Sequence, residues 1–231
     1  MLEIRAARKM FHRGQADEKV ALDGLDLTLA TGEFGVVIGT NGAGKSSMLN
    51  AVSGSLSIDT GQILINGQDV TQQPVHRRAA RVARVFQDSM KGTAASMTVA
   101  ENMLLAELRG KPRRLRSGLT AARIASYRER LAVLGLGLEK RMDARVELLS
   151  GGQRQSLSLI MAVGGSPDVL LLDEHTAALD PRTADIVMDA TVRAVDAFKL
   201  TTLMVTHNML HAIDVGHRVV MMDAGRVRLE I

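Results

Sequence analysis

The chain has 231 residues, a hydrophobic fraction of 46%, and 29 basic against 25 acidic side chains, for a net charge of +4 at pH 7. That length suffices for a full-sized core in one domain or two closely packed ones. The absence of cysteine excludes a disulfide framework and a thiolate metal site. Aromatics at 2% and no tryptophan leave few platforms for stacked bases, so nucleic acid is not the expected partner.

Nowhere do 18 apolar residues run uninterrupted, so no segment is expected to span a membrane, and a membrane role would run through a partner. The stretch "MLEIRAARKMF" carries charges where a secretory signal needs its apolar core. In chain order, "VALDGLDLTL" places Leu25, Leu27 and Leu29 on one face of a strand. "FGVVIG" is a short apolar run feeding a glycine loop, and "KSSMLNAVSG" predicts a helix closed by Gly54. "GQILING" is a strand ending in the turn signal Asn66-Gly67. From about 88 to 164 the character changes: 99–108, 120–134 and 151–163 have helical spacing, with no strand between them. "DVLLLDE" is a buried strand, and Asp180-Pro181 supplies a cap and a first-turn proline for a helix through Phe198. "TTLMVTH", "RVVMMDAG" and "RVRLEI" are strands around one further helix. The expectation is an α/β fold whose core, 1–87 and 165–231, is interrupted by a helical subdomain at 88–164.

"GTNGAGKSS" fits the phosphate-loop pattern G-x-x-x-x-G-K-[ST] at Gly39, Gly44, Lys45 and Ser46, between a strand and a helix start as that motif requires. Gly42 and Gly44 let backbone N–H groups turn inward on phosphates, and the helix start adds a favourable dipole. Lys45 is expected to reach the β and γ phosphates, and the Ser46 hydroxyl to ligate Mg²⁺. The whole loop is expected to hold ATP: Gly39, Thr40, Asn41, Gly42, Ala43, Gly44, Lys45, Ser46 and Ser47. A metal there needs a rigid carboxylate nearby. Asp173, at the end of "VLLLD", can hold it through water, which leaves Glu174 to polarise an attacking water as general base. Of the six histidines, His12, His76, His211 and His217 are expected at the surface or at caps. His207 ends an apolar strand, where an α/β sheet meets its ligand, and is expected near a γ-phosphate. His175, beside Glu174, is expected to position rather than react.

A second glycine turn, "LLSGGQ" at 148–153, precedes the Asp-Glu strand. With the phosphate loop, "LLSGGQ", "VLLLDEHTAALD" and His207 in this order, the chain resembles, over essentially its whole length, the nucleotide-binding subunit of ATP-binding cassette (ABC) transporters. The resemblance implies a single ABC domain over 1–231: a P-loop NTPase core with an antiparallel β subdomain and an inserted helical subdomain. In that family two subunits associate head to tail around two ATP. Leu149, Ser150, Gly151, Gly152 and Gln153 would then form a signature turn acting in trans on the partner's ATP. The helix after them points its N-terminus at the same anion.

Other positions carry over singly. Gln87 in "VFQD" matches the glutamine that contacts Mg²⁺ and the attacking water and joins core to helical subdomain, and Asp180 matches an interface loop. Phe11 falls roughly where an aromatic stacks on adenine, but the insert "HRGQADEK" blurs that alignment; stacking and plain core are both open. His175 stands where many relatives have proline, and Ser47 where threonine is commoner. The likeness is strongest to ATPases paired with a branched-chain-amino-acid-type permease and a separate substrate-binding protein. It implies an ATP-hydrolysing importer subunit, cytoplasmic and peripheral on the inner face of the cell membrane, for an amino acid or similar small organic solute. The stretch 88–108 would receive the permease. The basic run "RGKPRRLRSG" reads as a solvated loop or as a contact for anionic headgroups. The alternative, a soluble ABC ATPase acting on ribosomes or DNA, is opposed by a single phosphate loop, no heptad run and no cysteine. In a plain P-loop kinase or GTPase the second glycine turn would have no role.

Overall fold

The computed structural model describes residues 1–109 and 118–231, so 110–117, most of the basic run, lie outside the described residues. The elements in chain order are β1 (Leu2–Phe11), β2 (Lys19–Leu29), β3 (Phe34–Ile38), α1 (Lys45–Ser53), β4 (Thr60–Ile65), β5 (Gln68–Asp69), α2 (Val75–Arg78) and β6 (Val82–Val85). They continue with α3 (Val99–Glu107), α4 (Ala121–Ala132), α5 (Gly151–Val163), β7 (Val169–Asp173), α6 (Pro181–Phe198), β8 (Thr201–Val205), α7 (Met209–Val215), β9 (Arg218–Asp223) and β10 (Arg226–Glu230). Two compact units result. The first is Met1–Arg84, Asp168–Glu174 and Leu200–Ile231; the second is Val85–Pro167 with His175–Lys199. The second unit thus takes in α6, which the sequence boundaries assign to the core.

The first unit is built on two sheets. One is antiparallel, in the order β2-β1-β4-β5. Leu25, Leu27 and Leu29 of β2 are buried, as the alternation requires, each contributing about 1.5–3 kcal/mol. Further back along β2 the buried set shifts to Leu22, because the pairing with β1 slips in register around Ala7 and a slip of one residue turns each side chain to the other face. Asn66 and Gly67 join β4 to β5 with φ of 49° and 75°, the left-handed pair that a two-residue hairpin loop demands.

The other sheet has the order β10-β9-β3-β8-β7-β6. Here β3 runs parallel to β8 and β9, β7 runs parallel to β8, and β10 closes the edge as an antiparallel hairpin. The central strands β3 and β8 are buried along their whole length, as expected of strands covered on both faces. Val37 and Asp173 both pair with Val205, so the strands end in register and the residues after them share one edge of the sheet. Behind the glycine loop, Arg78 is only 2% exposed. Its guanidinium donates to the carbonyls of Ala51 (2.5 Å) and Val52 (3.1 Å) at the C-terminal end of α1, and to those of Thr71 and Gln73. A cation there suits the negative end of the helix dipole.

In the second unit α5 is buried almost all round, from Gln155 to Val163, and packs against α3, α4 and α6. Thr98 and Glu101 form a reciprocal capping box at the start of α3, and Thr120 caps α4. Asn102, fully buried, accepts from the Ala94 N–H and donates to the Ala94 and Thr98 carbonyls, so it replaces the ladder partners that this strandless segment lacks.

Candidate active site

The glycine loop links β3 to α1 and lines a cavity of about 220 Å³ with residues 41–47, Phe11, Lys19, Ala21 and Glu174. Gly44 occupies the N-cap of α1 with φ of 102°, and no side chain caps this helix. A Cβ there would lie 2.4 Å from the Ala21 carbonyl oxygen, so the position admits only glycine. An uncapped helix start with no acidic residue in its first turn is a cradle for an anion. Lys45 is buried, and its ammonium donates to the Gly39 carbonyl (2.6 Å) and the Thr40 carbonyl (3.0 Å), which curls the loop around the charge. The tip of the β9–β10 hairpin braces the loop from outside: the Gly225 N–H donates to the Ala43 carbonyl at 3.0 Å. Phe11, at the end of β1, is half-exposed and faces the cavity rather than the core. Lys19 lines it too, and no motif marks that residue in the sequence.

At the shared strand edge, Glu174 directly follows β7 with φ of 45°. A non-glycine residue in the left-handed region costs about 1–2 kcal/mol. Its backbone N–H donates to the Val205 carbonyl at 2.9 Å, which holds the turn in place. The His207 Nδ1 lies 3.4 Å from Glu174 Oε2; His207 is largely exposed and Glu174 is half-buried. Asp173 does not line the cavity. One of its oxygens accepts from Arg84 Nη2 at 2.5 Å, while Arg84 Nη1 donates to Asn50 Oδ1 at 2.7 Å. Ser46 and Asp173 offer only oxygen donors, which suits a hard cation such as Mg²⁺. Among the described residues no cluster of three or more His, Asp or Glu could hold a metal by itself. Such a cation would therefore lean on phosphate and water oxygens, as Mg²⁺ does.

The remaining expected residues lie in the second unit. Gln87 is exposed, two residues beyond β6. Ser150 caps α5 in a capping box: its Oγ accepts from the Gln153 N–H at 3.2 Å, and Gln153 Oε1 accepts from the Ser150 N–H at 3.3 Å. Arg141 also donates to Gln153 Oε1, at 3.0 Å. Ser150 and Gly151 are exposed, whereas Leu149 is buried and anchors the turn; Leu148 before it is exposed. Gly152 is buried, and a Cβ there would meet Thr183 Cγ2 of α6 at 2.6 Å. Asp180 caps α6 by accepting from the Thr183 N–H, and hydrogen bonds from the Thr183 side chain and then its backbone hold the carboxyl below the usual range for aspartate. His175 is buried. Thr191 Oγ1 donates to the Val187 carbonyl and lies 3.0 Å from His175 Nε2, so the ring is held in place against α6. His12, His76 and His217 are exposed, and His211 is half-exposed.

A parallel sheet with a strand–glycine loop–helix at its ligand edge defines a nucleotide-binding α/β protein. The family model of ABC transporters matches residues 22–177, and the chain belongs to that family. Along its whole length the chain is 43% identical to a tyrosine transport ATP-binding protein of Clostridioides difficile, of which it covers 92%. It is 33% identical to the methionine import ATP-binding protein MetN 2 of Enterococcus faecalis, over 98% of this chain and 64% of that protein. Among solved structures, a dimeric post-hydrolysis ATP-binding cassette bound to ADP and Pi aligns over 100% of this chain and 98% of its own, at 26% identity and a TM-score of 0.82. The protein is an ATP-binding ABC ATPase.

Proposed function

We propose that this chain is the ATP-hydrolysing subunit of an importer, peripheral on the cytoplasmic face of a membrane, that dimerises around two ATP and drives an amino acid through a separate permease served by a substrate-binding protein. The observation that carries this is end-to-end similarity to a tyrosine transport ATP-binding protein, with 92% of that protein covered. No helix among the described residues is long and apolar enough to cross a membrane, and in this reading the permease supplies the solute's path. In this reading the loop 39–47 holds the phosphates and Phe11 carries the adenine. Ser46, Asp173 and Gln87 hold Mg²⁺, which when bound neutralises phosphate charge. Glu174 takes the proton from the attacking water, and His207, beside it, touches the γ-phosphate. Leu149, Ser150, Gly151, Gly152 and Gln153 close on the partner's ATP, and Asp180 lies at the interface.

The test mixes two variants, each also carrying Glu174→Gln to prevent turnover. Lys45→Ala disables a chain's own loop, and Ser150→Arg blocks its signature turn by bulk. Neither homodimer has an intact site, but if Ser150 acts in trans, the heterodimer has one. The mixture should therefore elute as ATP-dependent dimers on a sizing column. A control pairing Glu174→Gln chains, one with a disabled loop, must first dimerise; a mixture that then stays monomeric sinks the trans assignment. For the solute, cells whose only copy carries Glu174→Gln should lose uptake of labelled aromatic amino acids. Unchanged uptake of every amino acid tested would refute that part.

A further inference from the structure

Arg84 is the feature of the first unit that the proposed chemistry does not use. Its guanidinium spans two elements: Nη2 reaches Asp173 Oδ2 at the end of β7 (2.5 Å), and Nη1 reaches Asn50 Oδ1 on α1 (2.7 Å). Both charged side chains are largely withdrawn from water, with 13% of Arg84 and 20% of Asp173 exposed, so the pair is poorly screened. Asn50 follows Ser46 by four residues on α1, and residues four apart share a helix face. The Arg84 fork therefore ties the Asp173 carboxylate to the helix face that presents the Ser46 hydroxyl. Ser46 and Asp173 are the oxygen donors that would hold Mg²⁺, and they sit on separate elements. A planar fork that bonds one acceptor on each element fixes their spacing in a way that a single ammonium cannot.

We infer that Arg84 is a positioning residue for the metal half of the nucleotide site: by holding Asp173 and Asn50 together it sets the spacing of Asp173 from Ser46 and so the preference for metal-bound over metal-free nucleotide. This rests on the reading of Ser46 and Asp173 as Mg²⁺ donors. The physical alternative is competition, in which the guanidinium occupies Asp173 and its positive charge repels a cation. The two predict opposite signs. Positioning makes Mg²⁺ help less when Arg84 is removed; competition makes it help more.

The experiment uses the full chain and a non-hydrolysable ATP analogue. Calorimetry measures the dissociation constant in EDTA and in excess Mg²⁺, and the ratio of the two is the readout. Removing a group that orients a metal ligand typically costs 10–100-fold in metal affinity, so Arg84→Met should lower the ratio by about tenfold while the EDTA affinity holds within about twofold. Arg84→Lys should shift the ratio in the same direction as Arg84→Met, since an ammonium on a flexible stem lacks the rigid planar fork that fixes the spacing of the two acceptors. Asn50→Ala, which cuts one arm and keeps the charge beside Asp173, should shift the ratio the same way by a smaller factor; it also stands in if Arg84→Met does not fold. An Arg84→Met ratio equal to or above that of the wild-type chain overturns the inference, as does a wild-type ratio in Asn50→Ala. A wild-type ratio of one sinks the Mg²⁺ reading itself, and this inference with it.

Discussion

The chain has two glycine-marked helix starts built in opposite ways. At α1 the helix begins at Gly44 with no side-chain cap, and its loop curls over a buried lysine. At α5 the helix begins at Ser150 with both halves of a capping box in place and an arginine on the glutamine, and the turn faces outward. One start leaves its polar groups to be completed by a small anion inside a cavity. The other satisfies itself locally and presents an exposed serine and glycine. Glycine-rich turns with similar spelling can thus do different work, and what separates them is whether the helix end is already capped.

The largest expected effect involves neither start. Glu174→Gln should cut ATP turnover by roughly 10²–10⁴ while nucleotide binding persists, since a base is lost and no phosphate contact is. An enzyme that keeps more than about a tenth of its hydrolysis would remove Glu174 from that role. The next pair sets the two starts against each other. Lys45→Ala removes charge-assisted contacts worth about 1.5–3 kcal/mol each, so the affinity of the isolated chain for ATP should fall by one to two orders of magnitude per contact. Ser150→Ala should leave that affinity within about twofold, because the capped start is not where the chain's own nucleotide sits. Equal losses would erase the distinction.

Stability should invert the ranking. Ser150→Ala removes a working cap and should cost about 0.5–2 kcal/mol in urea melts. α1 has no side-chain cap to lose. The smallest effect is in acid. The capping carboxylate of Asp180 is held below its ordinary 3.8 by hydrogen bonds from Thr183, and that of Glu101 below 4.5 by those from Thr98. Charged in the folded state, both stabilise above those values, and the contribution disappears as pH falls through their lowered folded values. Asp180→Asn keeps a capping oxygen but not the titration, so the melting-temperature gap between variant and wild type should narrow on acidification below about pH 4. A gap that stays constant would mean the charge contributes nothing.

What the sequence disclosed follows the range of the interactions. The phosphate loop and the capped turn are each written within nine residues, so spacing reveals both. The alternation of Leu25, Leu27 and Leu29 and the Asn66-Gly67 turn are equally local. β1 was silent because bulges, with Ala6 at φ of 44°, break its period of two, and β6 because four residues show no period. Lys19, Arg84 and Gly225 carried no signal, since their partners lie far away in sequence; Arg84 and Asp173 are 89 residues apart. His175 could be flagged as a departure from proline, but only the fold shows it buried against Thr191.

Arg78 has a bearing on ionic strength. Exposed ion pairs such as Asp23 with Arg8 and Arg226 sit in solvent, where added salt collapses the reach of a charge to about 8 Å at 0.15 M and about 3 Å at 1 M. The hydrogen-bond partners of Arg78 are neutral carbonyls, the two at the rear of α1 are buried, and Arg78 itself is almost wholly shielded, so dissolved ions screen that junction weakly. Brine that loosens the charged rim of the antiparallel sheet should therefore leave the seating of the phosphate helix untouched.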